Sequence, residues 1–230
     1  MSETNLTFTE HLEELRQRII RSLAFVIIAS ILTYAFTDKI LIFLSKPAGR
    51  LVFIAPAEAF ITRIKLALFG GLYLSSPLIL YEVWGFVSSG LERTDKKYAL
   101  LFSVFSFILF TAGTLLGYFV IVPMGLNFLL SFSSEYLQPM ISVGRYTSFV
   151  MSLSFAFGLV FQLPLAILFL TKTGIVTPEF LSRNRKYTIV IIFIAAAVFT
   201  PPDVITQCLM AIPLLALYEI SIFLSRIARK

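Results

Sequence analysis

Residues 7–36 read TFTEHLEELRQRIIRSLAFVIIASILTYAF, and this stretch decides the class of fold. From residue 19 onward it is long and apolar enough to be read as a membrane span, which needs about 20 apolar residues. What precedes the span is a helical leader. Thr7 followed by Glu10 has capping-box spacing, so a helix is expected to start here. Phe8, Leu12, Leu15 and Ile19 recur at helical spacing and form one apolar face. Glu10, Glu13 and Glu14 fall on other faces, at the mouth of the span and beside Arg16, Arg18 and Arg21.

The rest of the 230-residue chain has the same character: 58% of it is hydrophobic and 14% charged, with 24 Phe and a mean hydropathy of +0.89. An ordinary soluble domain carries roughly a quarter charged residues, so this composition belongs to an integral membrane protein. The net charge of +6 does not point to nucleic acid, because the basic residues are spread over several loops and form no single stripe. Cys208, the one cysteine, lies in an apolar run and reads as a small buried residue; neither a disulfide nor a metal site is expected. No small-residue cleavage site stands out after the first apolar run, so that run is expected to be retained.

Read in order, the chain is expected to be an all-α integral membrane protein, a single transmembrane domain over residues 1–230. Six spans are placed at about 19–37, 64–88, 98–122, 149–171, 187–200 and 204–224. Pro77 and Pro164 lie inside spans and are expected to kink them, and Pro123 to end the third. Residues 40–62 read as short helices at the far membrane surface, and Thr177-Pro178-Glu179 as the opening of another short helix. Of the 19 Lys and Arg, six (Lys39, Lys46, Arg50, Arg63, Lys65 and Arg145) fall on one side of this topology and the rest on the side of the termini. The positive-inside rule therefore places both termini in the cytoplasm. The fifth and sixth spans are short: at about 1.5 Å per residue, 13 apolar residues from 187 to 199 reach roughly 20 Å, against a hydrocarbon core of about 30 Å. Either the bilayer thins there or the last pair is a re-entrant hairpin.

Enzyme signatures are missing: there is no HExxH, no Gly-Ser-x-Gly, no P-loop and one histidine, His11, read as a surface residue of the leader. No metal and no cofactor is expected. The apolar spans hold few ionisable groups, Glu82 and Glu219 near their cytoplasmic ends, with Gln162 the bulky polar residue at depth. Ion-coupled carriers usually carry several ionisable groups at mid-depth, which weakens the alternative of a small-solute or ion-coupled carrier. Two readings of the cytoplasmic acids stay open. In one, Glu14 pairs with Arg18 at i,i+4, worth about 0.2–0.5 kcal/mol, and Asp95 favours the dipole of the third helix by about 0.3–1 kcal/mol. In the other, Glu14 and Asp95 converge on a cationic partner, where paired hydrogen bonds select guanidinium over ammonium.

HLEELR (11–16), SPLILYEVWGF (76–86), YFVIVP (118–123), FVM (149–151) running on to Phe157-Gly158, and TPPDV (200–204) resemble motifs of the TatC family, the multi-spanning subunit of the twin-arginine protein translocase. The resemblance covers nearly the whole chain. It implies a core receptor that binds Arg-Arg signal peptides on the cytoplasmic face. With single-span TatA- and TatB-type partners it would export folded proteins across the bacterial inner membrane (or a related organellar one), driven by the proton-motive force; self-association in the complex is also implied. Glu14 matches the leader glutamate that meets the arginine pair. Asp95 falls where the family commonly has a second glutamate, keeping the charge but shortening the reach by one methylene. Arg16, Phe86, Leu91 and Arg93 match neighbouring signal-peptide positions, Pro47 a proline of the first external region, and Asp203 the acid of the last external turn. Gln162 falls where relatives often have a glutamate, so polarity and not titration is expected to matter there. The short fifth and sixth spans are the expected partner-binding surface.

Overall fold

α1 (Phe8–Tyr34) is one unbroken helix, so leader and first apolar run form a single rod about 40 Å long at 1.5 Å per residue. Its surface is inverted relative to a soluble helix. Ile19, Leu23, Ile27, Ile31 and Leu32 are exposed, while Ser30 and Thr33 are buried. Large apolar side chains outside and small polar ones inside is the arrangement that lipid favours: lipid tails solvate the first, while inside Thr33 donates to its own helix at Ala29 C=O, 2.7 Å away.

The computed structural model describes residues 8–89, 96–200 and 203–228. After α1 come α2 (Thr37–Ser45), α3 (Pro56–Ser89), α4 (Lys96–Leu116), a π-helical turn (Gly117–Ile121), α5 (Val122–Leu130), α6 (Val143–Val160), α7 (Leu163–Lys172), α8 (Pro178–Arg183), α9 (Arg185–Phe199) and α10 (Val204–Ala228). Among the described residues the β-structure is an isolated bridge between Val52 and Ser142. The all-α expectation therefore holds. Among the described residues, four helical runs are long and apolar enough to cross a membrane: Pro56–Val87, Leu100–Leu130, Val143–Lys172 and Val204–Ile227. α1 and α2, bent 80° apart, make a fifth if taken as one broken span. Of the last two spans, both expected to be short, α9 has 15 residues, about 22 Å, and stays below spanning length, whereas α10 with 25 residues reaches about 38 Å and is long enough to cross.

Several boundaries differ from the sequence reading, each for a local reason. Thr7, half of the expected capping box, lies outside the described residues. α3 starts at Pro56, eight residues earlier than expected, because proline suits the first helical turn. Pro123 does not end the third run. Proline lacks the N–H for the normal ladder, and the chain absorbs this in the preceding π turn, where Val122 N–H reaches back to Gly117 C=O. α6 starts at Val143, where the Ser142 hydroxyl accepts the Arg145 N–H. Pro164 interrupts the α-helical ladder of the fourth run, with α6 ending at Val160 and α7 starting at Leu163. Pro77 is carried inside α3: the Tyr73 C=O that it orphans accepts the Ser76 hydroxyl at 2.6 Å instead. Thr177 caps α8 as expected, accepting the Phe180 N–H at 3.2 Å.

The chain divides into two compact units, Met1–Leu41 with Phe60–Ile108, and Ile42–Ala59 with Leu109–Lys230. In the first, α1 crosses α3 where Gly70 and Gly71 face Thr33 and Ser30; a Cβ on Gly70 would stand 2.5 Å from Thr33 Cγ2. Small residues there let two backbones approach. Trp84 joins α3 to α4 by donating Nε1–H to Ser106 Oγ at 2.6 Å and stacking on Phe102. In the second unit, Gly158 of α6 packs against Thr114 and Phe110 of α4, and Phe157 is fully buried. The Tyr118 and Tyr146 hydroxyls donate to Phe43 C=O at 2.6 Å and Leu44 C=O at 2.8 Å, capping carbonyls at the end of α2.

Candidate functional site

Arg18 is the centre of a charged constellation carried by the first half of α1 and the last turns of α3. Glu14 lies one helical turn before it, so the two share a face. Nε donates to Glu14 Oε1 at 2.9 Å and Nη2 to the same oxygen at 2.5 Å. Nη1 turns the other way, donating to Glu82 Oε2 at 2.8 Å and Glu82 C=O at 3.3 Å. One guanidinium thus bridges two carboxylates on two helices. Arg18 and Glu82 side chains are 20% and 10% exposed, so neither charge is fully hydrated and each depends on the other. Arg21 stands behind them, 3.8 Å from Glu82 Oε1, with its side chain 58% exposed. Gly85 makes room: a Cβ there would collide with Arg18 Nη1.

His11 sits one turn before Glu14, with Nδ1 3.7 Å from Glu14 Oε2. Its ring stacks on Phe86 with centroids 4.4 Å apart and planes at 17°. His11 is thus not the plain surface residue expected of it; the Phe86 ring covers one of its faces. Below this polar layer, Leu15, Ile19, Leu23 and Val26 of α1 and Ile79, Val83 and Phe86 of α3 line an apolar groove of about 510 Å³. A charged and aromatic mouth thus stands above an apolar groove.

A model of the family described as Sec-independent protein translocase protein (TatC) matches residues 10–213. The chain belongs to the TatC family. The TatC of Carboxydothermus hydrogenoformans is 43% identical over 231 residues, which cover 98% of this chain and 95% of the relative. The TatC of Desulforapulum autotrophicum is 42% identical over 235 residues, 99% of this chain and 87% of the relative. A crystal structure of the twin-arginine translocase receptor TatC superposes with a TM-score of 0.89 at 40% identity, covering 96% of this chain and 100% of that one. The chain is therefore a multi-pass membrane component of a bacterial twin-arginine translocase, a transport subunit and not an enzyme. A small-solute carrier finds no support in these matches.

Of the residues that the TatC motifs single out, the structure brings Glu14 and Phe86 to one place. Arg16 goes elsewhere: its Nη1 pairs with Glu13 Oε2 at 3.2 Å, with the Arg16 side chain 70% exposed. Leu91, Arg93 and Asp95 lie outside the described residues. Pro47 sits in the turn after α2. Gln162 sits in the break between α6 and α7, its C=O accepting the Ala166 N–H at 2.9 Å. Asp203 caps α10, with Oδ1 accepting Thr206 N–H at 2.7 Å and Oδ2 accepting the Thr206 hydroxyl at 2.5 Å. Sequence reasoning missed Glu82 and Gly85 as parts of the site. The signal for Glu82 was present, since an ionisable residue inside an apolar run demands a partner. Gly85 gave none, because its role exists only where Arg18 meets α3.

Proposed function

We propose that this chain is the signal-peptide receptor of the translocase, with Glu14 accepting a guanidinium of the Arg-Arg pair. The observation that carries this reading is that Glu14 already accepts a guanidinium, that of Arg18, in a contact of 2.5 and 2.9 Å. A carboxylate held in that geometry selects the planar fork of arginine over the point charge of lysine. Asp95, the residue before α4 in the sequence, is the second carboxylate; Phe86, Leu91 and Arg93 flank the peptide, and Arg16 contacts it from the exposed side of α1. The apolar stretch of the peptide follows the groove below His11 and Phe86. Six spans in one transmembrane domain put both termini in the cytoplasm of the bacterial inner membrane. There the receptor self-associates and works with TatA- and TatB-type single-span proteins to export folded cargo, driven by the proton-motive force, with α9 and α10 as the partner-binding surface.

The test is site-specific photocrosslinking in membranes. Probes at positions 14 and 95 should capture an Arg-Arg signal peptide, and Glu14→Lys or Asp95→Lys should abolish capture. If a probe on the external side captures the peptide and those two never do, the assignment is wrong.

A further inference from the structure

We infer that Arg18 is an internal stand-in for the peptide's arginine: it occupies Glu14 in the empty receptor and passes wholly to Glu82 when a signal peptide binds, and this exchange sets how tightly a signal peptide is held. The inference rests on the reading of Glu14 as the peptide's partner.

The geometry points to exchange because of how Glu14 is already used. A guanidinium that meets a carboxylate fork-on needs both of its oxygens. Glu14 Oε1 already accepts two hydrogen bonds from Arg18. An incoming arginine therefore reaches its full contact only by displacing Nε and Nη2. An internal arginine in such a place would ordinarily be trapped, because leaving a largely buried charge unpaired is strongly unfavourable. Arg18 is not trapped. Its Nη1 is already on Glu82 Oε2 at 2.8 Å and on Glu82 C=O at 3.3 Å, so it can release Glu14 and remain paired. The berth is built into α3 by the missing side chain at Gly85. Arg21, at 3.8 Å from Glu82 and more than half exposed, can yield its place to solvent as Arg18 moves over.

The exchange weakens binding of every peptide alike, because each must displace the same Arg18 contact. The choice of arginine over lysine stays with the direct contact on Glu14, where the compact ammonium of a lysine offers no fork. The competing picture is a static clamp, in which Glu14, Arg18 and Glu82 only fasten α1 to α3. In a clamp Arg18 stays on Glu14 when the peptide binds; as a competitor it leaves, and weakening it tightens peptide binding.

The experiment measures binding of one signal peptide, in Arg-Arg and Lys-Lys forms, to the full chain in detergent. Wild type, Arg18→Lys, Glu82→Gln and Glu14→Lys are compared, each with its melting midpoint. Arg18→Lys weakens the internal competitor, so both peptide forms should bind about five-fold tighter, with the ratio between them unchanged. Glu82→Gln removes the charge of the berth, leaving neutral acceptors, and should weaken Arg-Arg binding by about ten-fold, one hydrogen-bonded charge pair being at stake. Unchanged or weaker binding of both forms by a folded Arg18→Lys protein overturns the exchange and leaves the clamp. If the variant does not fold, wild type labelled with ¹⁵N-arginine decides: the Arg18 Nε–H signal should move on adding the Arg-Arg peptide, and a fixed signal at saturation overturns the idea. Peptide binding that survives Glu14→Lys in full identifies a different failure, that of the Glu14 reading, and takes this inference with it.

Discussion

Arg18 and Glu82 are 64 residues apart in the chain, and their side chains meet at 2.8 Å. This contact ties the leader end of α1 to α3, and it decides what Glu14 can do. Removing Glu82 leaves Arg18 with one carboxylate where it had two. Glu82→Leu is expected to lower stability by about 1.5–3 kcal/mol, the range for a hydrogen bond to a charged group. Glu82→Gln, which keeps a side-chain acceptor, should lose less. Thermal unfolding of the purified protein in detergent reads both.

The α4–α6 crossing depends on the missing side chain at Gly158. A Cβ there would stand 2.6 Å from Thr114 Oγ1 and 2.7 Å from Phe110 Cε2. Gly158→Val should cost about 1–3 kcal/mol or more through overpacking. Adding Thr114→Ala to it should recover part of the loss. A melting curve that does not move on Gly158→Val would mean that the two helices do not cross there.

Glu58 fastens two loops of the second unit. Its Oε2 accepts the Ile54 N–H at 2.6 Å, while Oε1 accepts the Gly144 N–H at 2.8 Å and the Ser142 hydroxyl. Next to it, Val52 and residues 141–143 exchange backbone hydrogen bonds of 3.0 and 2.8 Å. Glu58→Ala leaves these donors to water and should loosen both loops without unfolding the helices. Hydrogen exchange at the Val52 and Val143 amides should accelerate by about ten-fold, the equivalent of about 1.4 kcal/mol, while the α10 amides stay protected.

Asp203 acts through its cap. Asp203→Ala should cost about 1 kcal/mol, and Asp203→Asn much less, because Asn caps almost as well. If export in cells falls with Asp203→Asn while the melting point holds, the carboxylate has a role beyond the cap.

At Gln162 we expect polarity to matter and charge not to. Gln162→Glu and Gln162→Asn should keep export near the wild-type rate, and Gln162→Leu should lower it. Loss of export in Gln162→Asn with retention in Gln162→Glu would show that a carboxylate serves there and that the native amide is a compromise.

Much of this was legible in the chain itself. Apolar runs of spanning length and the five motifs led to the class of fold and to the family, because hydrophobicity and local motifs are properties of neighbours in sequence. The Glu14–Arg18 pair was legible too, since a helix puts i and i+4 side by side. Proline effects were legible only in kind. Pro77, Pro123 and Pro164 all disturb the hydrogen-bond ladder, yet the first is absorbed by the Ser76 hydroxyl, the second by a π turn, and the third interrupts the helix. Which remedy is used depends on what surrounds the orphaned carbonyl.

The sequence by itself determined that the chain is helical and membrane-bound and that acids and arginines gather at one end of its first span. Only the tertiary structure decided which of them meet. It sent Arg16 outward to Glu13, laid His11 on Phe86, and set Arg18 between Glu14 and Glu82 in a space kept open by Gly85. The physical reason is that the strength of a charge contact depends on a separation of a few ångströms and on burial. Both are fixed where α1 packs against α3, and neither is written in the spacing along one chain.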